Sequence, residues 1–216
     1  MNRSHVWPLV LLVVAAVLLR VVDHPWNLAP IGALSLFVGA YVRRKTWAFA
    51  VPLAAMLLSD VALGLMHHNT ELYTVHPLQP LVYFCYAISV CLGFGIHKAW
   101  QSAEKRSGNK TAPESATAAK QGRRDFASRS ARSVLPVVGA TLAGAIFFFL
   151  VTNFGDWLLW YEQSWAGLRE CFVRAIPFFR TTLMGDALYV AVLFGGYELL
   201  KHRFPVLGDH GIEPAR

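Results

Sequence analysis

Cysteine is scarce and scattered. The three in the chain are Cys85, Cys91 and Cys171. They form no CxxC pair, so neither a zinc site nor a disulfide framework is indicated. Packing as small apolar residues is the role left to them. Catalytic signatures are also missing. There is no nucleophile elbow, zincin motif or phosphate-binding loop, so the chain is not expected to be an enzyme and no cofactor is expected. The 13 acidic residues form no ladder along the apolar segments, which leaves a proton relay without support. His24, His67, His68 and His76 are irregularly spaced, and capture of a metal ion is not expected. No small-x-small cleavage site follows the first apolar stretch, which gives way to Asp23, His24, Pro25 and Trp26. That stretch is therefore expected to be a retained helix rather than a signal peptide.

What the chain does have is apolar sequence punctuated by ordered positive charge. Hydrophobic residues make up 55% of its 216 positions, against roughly 45–50% in soluble domains. A span takes about 20 apolar residues, and in lipid such a run satisfies its backbone only as a helix. The fold class is therefore an all-α membrane protein, a single transmembrane domain over 1–216. Its six transmembrane helices are expected at about 6–22, 29–42, 47–66, 77–97, 133–152 and 176–200. The second is short, but its small residues suit the inside of a bundle.

A net charge of +7 invites a nucleic-acid reading, which the distribution excludes. Sixteen of the 20 Lys and Arg residues, all but Arg20, Arg169, Arg174 and Arg180, fall at the termini or in short stretches after helices 2 and 4. Positive-inside bias and anionic lipid headgroups produce this pattern. It predicts both termini inside and a multi-pass protein of the bacterial inner membrane, with the lipid bilayer as its first partner. The segment 101–130, rich in Ser, Ala, Lys and Arg, is expected to be a disordered cytoplasmic loop. The four exceptions lie where basic residues are disfavoured, and Arg180 stands out among them.

Charged groups within a span cost about 2.5–3.5 kcal/mol each on insertion scales. Asp60 falls inside helix 3 and Asp186 inside helix 6, with Arg180 one or two turns before it. Two readings follow: an Arg–Asp pair or Asp–Ser contacts that lock the bundle, or polar anchors around a water-accessible cavity. The loop after helix 5 carries Asn153, Asp156 and Trp157, with Trp160 and Trp165 nearby. The latter two suit an interfacial aromatic belt. Asn153, Asp156 and Trp157, with Asn27 in the loop after helix 1, supply the aromatic wall and polar anchors that a small heteroaromatic ligand needs. Residues 166–175 have amphipathic helical spacing and are expected to form a short external helix before helix 6, either a lid or a connector. Small-xxx-small pairs (Ala29 and Ala33, Ser35 and Gly39, Gly139 and Ala143, Ala140 and Gly144) mark helix contacts, either internal or with a partner subunit.

These residues carry a resemblance. Pro30, Gly32, Ser35 and Gly39 in the second helix, Pro52 through Ser59 and Asp60 in the third, Asn153, Gly155, Asp156 and Trp157 after the fifth, and Pro177, Arg180, Gly185 and Asp186 in the sixth resemble a family of uncharacterised bacterial six-helix membrane proteins. That family is similar in layout to the substrate-binding S components of energy-coupling-factor vitamin transporters. The resemblance implies capture of a small vitamin-like molecule for uptake, in an external cavity roofed by the loops after helices 1, 3 and 5. It also implies a transmembrane coupling subunit with ATPases as partners. Nickel and cobalt members of that group use a histidine second in the chain, where this sequence has Asn2. The substrate-binding residues expected are Asn27, Asp60, Asn153, Asp156, Trp157, Arg180 and Asp186. The alternative is a non-transport scaffold or assembly protein, with internal Arg–Asp pairing and no polar cavity.

Overall fold

Each long apolar run folds as a helix, because only a helix pairs all of its backbone groups within one segment. The computed structural model describes residues 7–22, 29–42, 44–68, 76–108 and 118–203. The helices are α1 (Trp7–Val21), α2 (Ile31–Tyr41), α3 (Lys45–Met66), α4 (Gln79–Gly108), α5 (Ala118–Trp160), α6 (Trp165–Val190) and α7 (Gly196–Arg203). A π-helical turn, Ala191–Gly195, joins the last two into one continuous rod. No strand occurs among the described residues. Among the described residues four helical stretches are long and apolar enough to cross a membrane: Lys45–Met66, Gln79–Arg106, Ser133–Trp160 and Trp165–Lys201. Val10–Val21 and Ile31–Tyr41 are shorter.

The shortest apolar helix is the centre of the molecule. With 11 residues, α2 is about 16 Å long, well short of a bilayer core of about 30 Å. It packs against α1, α3, α4, α5 and α6, and Ile31, Ala33, Leu34, Leu36, Phe37, Val38 and Ala40 are all buried. Its one buried hydroxyl is satisfied within the helix, Ser35 Oγ donating to the Ile31 carbonyl at 2.7 Å. The broadest of its contacts is with α4, where Gly39 and Gly93 let two backbones meet. A Cβ on Gly93 would stand 2.8 Å from the Gly39 Cα, a distance that real side chains do not adopt. Large apolar side chains elsewhere point outward, among them Leu11, Leu57, Leu65, Leu135, Met184 and Val192. That is the surface a lipid solvent requires.

The end of the bundle near Tyr41 is tied by aromatic rings. Phe194, in the π turn, meets Phe37 edge-on at 5.4 Å and Tyr41 at 5.6 Å. Tyr41 donates to Glu198 Oε1 at 2.6 Å. Lys201 pairs with the same carboxylate at 2.6 Å and lies 5.3 Å above the Tyr41 ring.

Three expected boundaries are corrected. Residues 166–175 are not a separate helix; they form the first turns of α6, which runs through Pro177. Proline there removes one backbone donor, but packing on α5 carries the helix across. The loop after helix 5 shrinks to 161–164, because α5 continues to Trp160. The α6 N-terminus is capped by Ser164, whose Oγ accepts from the Gly167 N–H at 3.1 Å. Finally, 101–130 is helical at both ends: α4 runs to Gly108 and α5 begins at Ala118. Ala, Gln, Glu, Lys and Arg are good helix formers, and extending an existing helix avoids a new nucleation cost.

Candidate functional site

Among the described residues two carboxylates are buried, Asp60 and Asp186, and the structure treats them differently. Asp60, near the C-terminal half of α3, is 1% exposed. Arg20 reaches it from α1, Nη1 donating to Asp60 Oδ1 at 2.5 Å and to Ser59 Oγ at 2.5 Å. Ser59 Oγ donates in turn to the Met56 carbonyl at 2.8 Å. From α4, Gln79 Nε2 donates to Asp60 Oδ2, and the Tyr83 hydroxyl donates to the same oxygen at 3.4 Å. One acid thus ties three helices together through charge-assisted bonds, which are shorter and stronger than neutral ones.

Asp186 is 8% exposed. Among the described residues no hydrogen bond or ion pair reaches its carboxylate. Its nearest structural feature is Gly32, in the first turn of α2, where an added Cβ would lie 2.8 Å from Asp186 Oδ1. The partial positive charge of the α2 N-terminus is therefore at hand, and the absence of a side chain at Gly32 makes room for the acid.

Asp186 lines a partly open cavity of about 520 Å³ walled by α1–α6. This is within the range of small-molecule sites, about 300–1,000 Å³. The cavity reaches from the bundle end at Val22, Ala29 and His67 inward to Ser89, Thr141 and Gly144. Tyr86 and Phe148 line it as a tilted aromatic pair with centroids 5.5 Å apart. Arg20 and Gln79, two of the three side-chain partners of Asp60, also face it.

The other expected site residues lie elsewhere. Asn153 Nδ2 donates to the Phe149 carbonyl of its own helix at 2.7 Å, and Trp157 Nε1 closes the α5–α6 turn onto the Glu162 carbonyl at 3.0 Å. Asp156 is half-buried near His76. Arg180 is exposed and makes no ion pair with Asp186. None of these four lines the cavity. Asn27 lies outside the described residues. Gln79, Tyr83, Tyr86 and Thr182, which nothing in the sequence singled out, complete the site together with Arg20. Arg20 carried a signal, as one of the four basic residues off the charge pattern. Gln79 and Tyr83 carried none, because a polar residue at a helix start is ordinary. Among the described residues no group of three or more His, Cys, Asp or Glu is placed to hold a metal ion.

The all-helical architecture and its four membrane-length apolar helices define a multi-pass membrane protein. Within that class, the chain belongs to a family of unknown function, DUF6580, whose model matches residues 1–207. No curated protein and no solved structure matches the chain.

Proposed function

We propose that this protein captures a small molecule within the membrane, as an S-component-like subunit for uptake of a vitamin-like compound. The observation that carries the proposal is the cavity of about 520 Å³ with a buried Asp186 on its wall that no described residue partners. A bundle selected only for packing would gain by closing that space, because interiors are normally filled to crystal-like density. On this reading six segments cross the bacterial inner membrane with both termini inside, as the Lys and Arg distribution supports. The bundle end at Val22, Ala29 and His67 then faces outward and admits the ligand. The similarity in layout to S components extends the proposal to a transmembrane coupling subunit with ATPases.

A second reading, a non-transport membrane scaffold, draws support from the Arg20–Asp60 pair, which braces helices without needing a ligand. Native mass spectrometry of the purified protein separates the two. Capture predicts a small-molecule adduct that disappears in Gly144→Trp, which fills the cavity wall. A ligand-free wild-type spectrum, with unchanged behaviour of Gly144→Trp, favours the scaffold.

A further inference from the structure

We infer that the cavity takes an organic cation, a protonated amine whose N–H groups are received by Asp186. This inference rests on the capture reading above and adds the chemical class of the ligand. Three features of the wall support it.

The first is charge. Arg20 and Asp60 neutralise one another at 2.5 Å, which leaves Asp186, also on the cavity wall, without an ion pair among the described residues. A buried charge without a partner is costly, and a ligand ammonium would supply the missing partner.

The second is the polarity of the hydroxyls. Ser89 Oγ donates to the Cys85 carbonyl at 3.1 Å, Thr141 Oγ1 to the Val137 carbonyl at 2.8 Å, and Thr182 Oγ1 to the Phe178 carbonyl at 3.0 Å. All three residues line the cavity. Each has committed its single proton to its own helix, so each oxygen offers the cavity only lone pairs. With the Asp186 carboxylate, these form an acceptor surface that suits a donor-rich guest, while Arg20 and Gln79, which also face the cavity, are engaged by Asp60.

The third is aromatic. The Tyr86 and Phe148 rings border the same space, and ring faces attract cations. The space is far larger than a bare ion requires, which favours an organic cation over an inorganic one.

The test uses three probes that share one ring and differ in charge: benzylammonium, benzyl alcohol and benzoate. Each is titrated into the full-length protein in detergent and followed by thermal shift. Benzylammonium is expected to bind at least about tenfold more tightly than benzyl alcohol, the scale of one charge-assisted hydrogen bond, and benzoate most weakly. Asp186→Asn should erase the gap between ammonium and alcohol while size-exclusion profile and helical circular dichroism stay unchanged. Gly32→Ala, whose methyl would stand 2.8 Å from Asp186 Oδ1 and push the carboxylate aside, should narrow the same gap and carries the test if Asp186→Asn does not fold. Benzyl alcohol or benzoate binding as tightly as benzylammonium, a preference that survives both substitutions, or no binding of any probe would overturn the inference. If the charge preference fails while Gly144→Trp still removes a mass-spectrometric adduct, the cation is wrong and capture stands. If no adduct and no probe binding is seen, both fall.

Discussion

Asp60 and Asp186 are chemically identical, similarly buried and both carried on apolar helices, yet their surroundings differ. Asp60 is received by Arg20, Gln79 and Tyr83 from two other helices. Asp186 meets a glycine, a helix N-terminus and a cavity. The difference teaches that burial alone does not assign a role to an intramembrane acid. An acid whose partners are all in the protein is a brace. One that no described residue partners, on the wall of a space large enough for a guest, is the acid we propose as a binding group.

The comparison can be broken at the Asp60 end with the largest effect. Arg20→Ala leaves a buried carboxylate without its counter-ion and should cost about 3–5 kcal/mol, read as a lowered unfolding midpoint in detergent. Removing both partners is different. Arg20→Met with Asp60→Leu replaces the pair by apolar groups and should return stability to the wild-type level or up to about 1–4 kcal/mol above it. A double variant as unstable as the single one would show that the polar network is more than a satisfied charge. At the other acid, Asp186→Asn removes no hydrogen bond or ion pair among the described residues and relieves the cost of a buried charge, so the unfolding midpoint should hold or rise, even as the variant alters ligand preference. A loss as large as that of Arg20→Ala would make Asp186 a second brace. The smallest effect belongs to an exposed pair. Arg174 and Glu170 meet at 2.6 Å, but their side chains are 69% and 52% exposed, and Glu170→Ala should cost about 0.3–0.5 kcal/mol. A double-mutant cycle on each pair gives the sharpest version, with coupling concentrated at Arg20–Asp60.

Much of this was legible beforehand in the helices and little in the side-chain pairing. The short second helix was readable as an internal one, because Gly32, Ser35 and Gly39 leave no side-chain bulk to keep neighbours away. The α2–α4 crossing needs Gly93 as well, and nothing local distinguishes it from Gly95, whose added Cβ would meet nothing within 4 Å. Asp60 and Asp186 stood out by the cost of charge in an apolar run. Their partners did not. Arg180 is close to Asp186 in sequence but points away from the bundle, whereas Arg20 lies 40 residues from Asp60 and bonds to it. Asn153, Asp156 and Trp157 read as loop residues because the polar run began at Thr152, yet α5 continues through them to Trp160. The Asn153 amide is spent on its own helix and the Trp157 indole on the turn between α5 and α6.

Composition and periodicity determined by themselves that the chain is helical, apolar in the way a membrane requires, and punctuated by charge. Those properties depend on each segment alone, since a run of apolar residues must pair its own backbone wherever it lies. Which acid is neutralised, which is left facing a cavity, and that the cavity exists were decided only by tertiary structure. Each depends on which faces of α1, α3, α4 and α6 are brought together around α2, and contact across helices has no period along the chain.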